Sequence, residues 1–175
     1  MKPKFLLFLS ALAAVAISSC QTVAIHSPAR DLDARVFPGD RGQDFKEVWV
    51  VDKNTGEKLE SLIEGPSLGY TVKFSPSKAW LVIEDEMFEN LVTVRLFHHE
   101  AVGGFRRVPD EFFILAAWRG FLEQKGVPGE IPVASSSTLH RWEEARDALV
   151  LRKRATLSDG TTLSGLVRVD LSAFE

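Results

Sequence analysis

Residues 80–97 read Trp-Leu-Val-Ile-Glu-Asp-Glu-Met-Phe-Glu-Asn-Leu-Val-Thr-Val-Arg-Leu-Phe, and their pattern decides the fold class. Residues 79–83 form a short apolar run of strand length. Residues 91–97 alternate, with Val92, Val94 and Leu96 on one face and Thr93 and Arg95 on the other. Side chains switch faces at every residue of a strand, so a period of two reads as β-structure. The intervening Glu84-Asp85-Glu86-Met87-Phe88-Glu89-Asn90 reads as a solvated acidic loop. A calcium loop would alternate oxygen ligands around a glycine, and Met87 and Phe88 sit where such ligands would be.

Working outward, Val48-Trp49-Val50-Val51 is another short apolar run, closed by turn chemistry in Asp52-Lys53-Asn54-Thr55-Gly56. Residues 58–63 read as a weaker returning strand and residues 70–74 as the next. Ser75-Pro76-Ser77-Lys78 is a turn with proline where its fixed φ is useful. Downstream, residues 111–123 are rich in Phe, Ile, Leu, Ala and Trp. Asp110 is the expected N-cap, Gly126 the C-terminal stop and Pro128 a block to resumption. Ile114, Trp118, Phe121 and Leu122 share one side, so this helix is expected to pack on the sheet. Residues 127–137 read as a Gly/Pro/Ser loop, and residues 139–147 are ambiguous between a helical turn and a strand. The last block, residues 148–157 and 161–171, is joined by Ser158-Asp159-Gly160, a strong hairpin signal.

Residues 148–171 repeat the apolar pattern of residues 80–96, with the helix inserted between them. The Asn-Thr-Gly-Glu turn and Phe74-Ser75-Pro76-Ser77-Lys78-Ala79-Trp80-Leu81 resemble β-propeller blades over about 50 residues. A closed propeller typically takes about four blades or more, and this length holds at most two. The expected class is α+β: mainly antiparallel sheet, a blade-like meander, with one amphipathic helix between two sheet segments.

The chain opens MKPKFLLFLSALAAVAISSC. Lys2 and Lys4 precede an uncharged, largely apolar run over residues 5–17, shorter than the roughly 20 residues that span a bilayer. Ile17-Ser18-Ser19-Cys20 resembles the lipobox of bacterial lipoproteins. That resemblance implies cleavage before Cys20, diacylglycerol on its sulfur and acylation of the new N-terminus. Cys20 is the single cysteine of the 175 residues, so an exported chain would have no internal disulfide partner, and lipidation would consume the thiol. Gln21 rather than Asp follows the cysteine, which by resemblance to enteric-type lipoproteins implies the outer rather than the inner membrane, facing the periplasm. The expected division is residues 1–19 signal peptide, residues 20–44 lipidated Cys20 and a flexible tether whose Val36 and Phe37 can dock on the domain, and residues 45–175 a single β-rich domain.

With 45% apolar and 26% charged residues, the composition is that of a globular protein. The net charge of −3 disfavours nucleic acid as a partner. His98-His99-Glu100 is the most tempting cluster, with His140 as a third imidazole. Neighbouring residues on a strand face opposite ways, and no second histidine follows at helical zinc-site spacing. Ser135-Ser136-Ser137 with His140 lacks a glycine elbow and reads as a serine-rich linker. Arg106-Arg107 and Arg152-Lys153-Arg154 read as exposed charge, available to lipid headgroups or an acidic partner. The four tryptophans read as core. No phosphate loop or dinucleotide fingerprint occurs, so neither cofactor nor metal is expected and no catalytic residue is assigned. The expected function is a membrane-anchored envelope lipoprotein acting as a non-catalytic binding or assembly module, with membrane lipid and an envelope protein as partners. The alternative is a small metal-assisted envelope hydrolase using His98, His99 and His140.

Overall fold

The computed structural model describes residues 31–42, 44–89, 91–100, 104–143, 145 and 147–174. The leader, Cys20 and the first part of the expected tether lie outside them. Three antiparallel sheets follow one another along the chain. β1 (Leu32–Pro38), β2 (Phe45–Asp52) and β3 (Lys58–Pro66) make the first. β4 (Gly69–Phe74), β5 (Trp80–Phe88), β6 (Leu91–Glu100) and β7 (Gly104–Arg107) make the second, in meander order. After the helix α1 (Asp110–Gln124), β8 (Ala134–Glu143), β9 (Ala148–Thr156) and β10 (Thr162–Asp170) make the third, with β9 central. The α+β expectation therefore holds: antiparallel sheet dominates and one helix is inserted between sheet segments. The repeated apolar pattern falls on the β5–β6 and β9–β10 hairpins.

The middle sheet is covered on both faces, which explains why β5 begins as a continuous apolar run rather than an alternation. Trp80 and Val82 point to one side, joining Val94 and Leu96, the α1 residues Phe113, Ala117 and Phe121, and Leu149, Leu151 and Val169 of the third sheet. Leu81 and Ile83 point to the other side, joining Leu32, Val48, Val50 and Ile63 of the first sheet with Phe97 and Phe105. The domain thus has two cores separated by one sheet.

The turn chemistry works largely as the sequence suggests. Asp52 Oδ1 accepts from the amides of Asn54 and Thr55 at 2.9 and 3.0 Å, and Gly56 supplies φ +73°. Gly160 has φ +85° in the β9–β10 turn, where Asp159 Oδ1 accepts from the Thr161 amide at 2.8 Å. Helix α1 ends in a Schellman arrangement. Gly126 takes φ +74°, its amide donates to the Glu123 carbonyl at 3.0 Å, and the Val127 amide donates to Leu122 at 3.0 Å.

Several expectations are corrected. Leu32–Pro38, expected within the tether, is a strand paired with β2 from Leu32↔Asp52 to Pro38↔Lys46. As an edge strand with one half-solvated face, β1 tolerates the charges and terminal proline that disguised it. Asp110 is the first helical residue rather than the cap. Pro109 holds the cap position without a side-chain bond, and the Asp110 carboxylate pairs with Arg107. The serines expected in a linker belong to β8. The acidic loop is mostly strand: Glu84 and Asp85 are buried within β5, and Glu86 to Phe88 project beyond them.

Candidate functional site

Helix α1 is apolar on more than one side. Phe113, Ala117, Phe121 and Leu122 are buried, yet Phe112 and Leu115 remain 63% and 57% exposed. Phe112, Leu115, Ala116 and Arg119 fall at helical spacings of three, four and seven, so they form a second stripe that the domain leaves uncovered. This stripe is one wall of an open groove of about 810 Å³, closed by Arg106, Arg107 and Val108 at the β7 end and by Ala173 and Phe174 near the C-terminus. His98 lies at its base with its ring 4.4 Å from that of Trp80. Arg106 is engaged by Glu100 at 2.7 Å and Arg107 by Asp110. Arg119 makes no ion pair among the described residues, and Glu111 is the acidic member of the lining. The all-round apolar composition of residues 112–122 was the signal for this stripe.

The histidines are placed separately. His98 packs on Trp80, which belongs to the helix-side core. His99 stacks at 4.8 Å on Phe105, which belongs to the opposite core. His140 is exposed at a bulge of β8, the extra residue between Leu139↔Leu151 and Arg141↔Val150. Among the described residues no group of three or more His, Cys, Asp or Glu could hold a metal ion.

The buried acids serve as ties. Glu84 Oε1 accepts from Lys73 Nζ at 2.8 Å and from the Leu139 amide at 2.6 Å, linking the middle sheet to the third beside the bulge. Asp85 accepts from Arg95 at 2.6 Å. Tyr70, directly opposite Asp85, has its hydroxyl pKa raised, chiefly by burial and then by that carboxylate. On the other side, the Glu60 carboxylate accepts from the Phe105 amide through both oxygens at 3.1 Å.

The least expected group is Lys153. Arg152 and Arg154 are exposed as anticipated, but Lys153 points inward from β9 and is only 1% exposed. Its Nζ donates to Ser137 Oγ at 2.9 Å, across the directly opposed pair Ser137↔Lys153, and lies 3.7 Å from the centre of the half-buried Trp118 ring. Burial alone pulls this amine from its usual 10.5 to about 7. Ser137 is therefore partnered by a lysine and not by His140.

No protein-family model, curated protein or solved structure matches this chain. Among the described residues no helix is long and apolar enough to cross a membrane.

Proposed function

We propose that this chain is a bacterial envelope lipoprotein, held to the outer membrane by lipid on Cys20, and that its β-rich domain is a binding or assembly module for another envelope protein. The anchor rests on the ordered basic, apolar and Ile-Ser-Ser-Cys segments of the leader. Two or more acyl chains hold a protein stably, whereas a single chain gives marginal binding. The observation that carries the binding role is the uncovered α1 stripe beside Arg119. Contiguous exposed apolar surface with a polar rim is a usual mark of a protein-binding site. The occupant that fits is an apolar segment of the partner bearing an acidic residue: its side chains cover Phe112 and Leu115, and its carboxylate meets Arg119.

Two measurements test this. Cys20→Ser should abolish labelling by radioactive fatty acid and leave uncleaved precursor; unchanged labelling refutes the anchor. A photo-crosslinking residue at Leu115 should trap a discrete envelope partner in cells, while the same residue at the exposed Thr162 on β10 should not. Arg119→Glu should weaken that crosslink by opposing the acidic group. Equal crosslinking from both positions, or none from Leu115, refutes the groove as the docking site.

A further inference from the structure

Lys153 is a buried amine held by a hydroxyl and an aromatic face rather than by a carboxylate. Taking a lysine out of water is costly, and a residue such as methionine would fill the same space without that penalty. No acidic group pairs with Lys153 among the described residues. Its neighbours are the Ser137 hydroxyl and the face of Trp118. Beside the pair is a hollow of about 30 Å³, and beyond it a cleft of about 460 Å³ opens over Ser136 and Arg154. Val92 and Ser135 line both spaces, so the two adjoin.

We propose that Ser137 and Lys153 are a nucleophile and base that cleave a short acyl ester, with the acyl group in the inner hollow and the alcohol portion in the outer cleft beside Arg154. In the first step the Ser137 hydroxyl donates its proton to the neutral Nζ as Oγ bonds to the ester carbonyl carbon. The tetrahedral adduct collapses, the ester C–O bond breaks, and the Lys153 ammonium returns the proton to the departing alcohol oxygen. Water then attacks the acyl-Ser137 carbon while Lys153 takes its proton, which passes to Ser137 Oγ as the carboxylic acid leaves. The sum is hydrolysis, with no oxidation or reduction.

Three features support the assignment. The 2.9 Å contact is within the reach expected of a nucleophile and its base. Burial brings the amine to about 7, so a large share of it is neutral at neutral pH, as a base must be. The indole face 3.7 Å away stabilises the ammonium formed in the first step, the task a carboxylate performs in a triad. The inner hollow has room for about two waters, which restricts the acyl group to roughly acetyl size. This activity uses a different face of α1 from the groove and stands or falls independently of the docking role.

The test is hydrolysis of p-nitrophenyl acetate and p-nitrophenyl octanoate by the detergent-solubilised full chain, with peptide mapping after acid quench. Acetyl on Ser137, preference for acetate over octanoate and a rate rising with pH through about 7 are expected. Ser137→Ala and Lys153→Met should each lower acetate hydrolysis by about 100-fold or more. Ser137→Cys keeps the size of the side chain and should take the acetyl group as a thioester, so it serves if the alanine variant does not fold. Wild-type protein without acetyl on Ser137, acetyl on Lys153 instead, an unlabelled Ser137→Cys protein, or wild-type rates in a folded Ser137→Ala protein would each overturn the proposal.

Discussion

Replacing Lys153 with methionine should make the domain more stable at neutral and acidic pH, and the gain should shrink as pH rises. The depressed pKa means that the folded state releases its proton near 7 while the unfolded chain holds it up to 10.5. Between those limits the unfolded state binds more protons, so wild-type stability climbs with pH at about 1.4 kcal/mol per unit. Below about 7 both states are protonated and the penalty is fully present. Burial alone gives a swing of about 4–5 kcal/mol. Methionine also strands the Ser137 hydroxyl, at about 1 kcal/mol. Lys153→Met should therefore gain about 3–4 kcal/mol below neutrality and lose that advantage by about pH 9.5. Urea unfolding followed by tryptophan fluorescence across this range measures it, because all other titrations cancel in the difference. Parallel pH profiles for the two proteins would refute a buried amine with a lowered pKa.

Three further substitutions probe the framework. Glu84→Ala removes the acceptor for the buried Leu139 amide and should lower stability by about 2–3 kcal/mol, with Glu84→Gln losing roughly half as much, by thermal melts. Gly104→Ala adds a Cβ 2.5 Å from Glu60 Oε2 at φ +88°, where Glu60 is fixed by its bond to the Phe105 amide. It should cost about 2 kcal/mol, and a double-mutant cycle with Glu60→Ala separates the clash from the backbone strain. Phe121→Ala empties the centre of the helix-side core and should cost about 3–5 kcal/mol in urea unfolding.

What the sequence disclosed were the features encoded by residue type at fixed spacing. Asp-Gly at 159–160, the Asp52 turn and the Gly126 stop each depend on one or two residues whose backbone preferences are strong. The alternation of residues 91–97 was equally direct. The errors share a different cause: a polar side chain looks the same whether water or a distant partner satisfies it. Glu84 reads as solvated until Lys73 and the Leu139 amide are brought to it from 11 and 55 residues away. Lys153 reads as one of three exposed cations until Ser137 and Trp118 close over it. In β8 the inward positions are Ser137 and Leu139, and a run of serines hides the alternation that an apolar strand would display. The α1 stripe was visible as composition, but only the packing of Phe113 and Phe121 establishes which apolar residues were left over.

The placement of one sheet between two cores also governs how the domain comes apart. Each outer layer shares its core with the middle sheet and is tied to it by a glutamate, Glu60 on one side and Glu84 on the other, with Lys78 adding bonds to Asp31 and the Leu32 carbonyl on the first side. Loss of the first sheet bares Leu81, Ile83, Phe97 and Phe105 but leaves the helix-side core intact, and the converse loss leaves the first sheet's core in place. Opening one side therefore does not require opening the other, and the free energies of the two events are separable. Amide hydrogen exchange should then sort into cooperative blocks. The β5 and β6 amides exchange last because they are shielded until both neighbours have gone, while β1–β3 and β8–β10 exchange in two groups whose rates respond to Glu60→Ala and Glu84→Ala respectively.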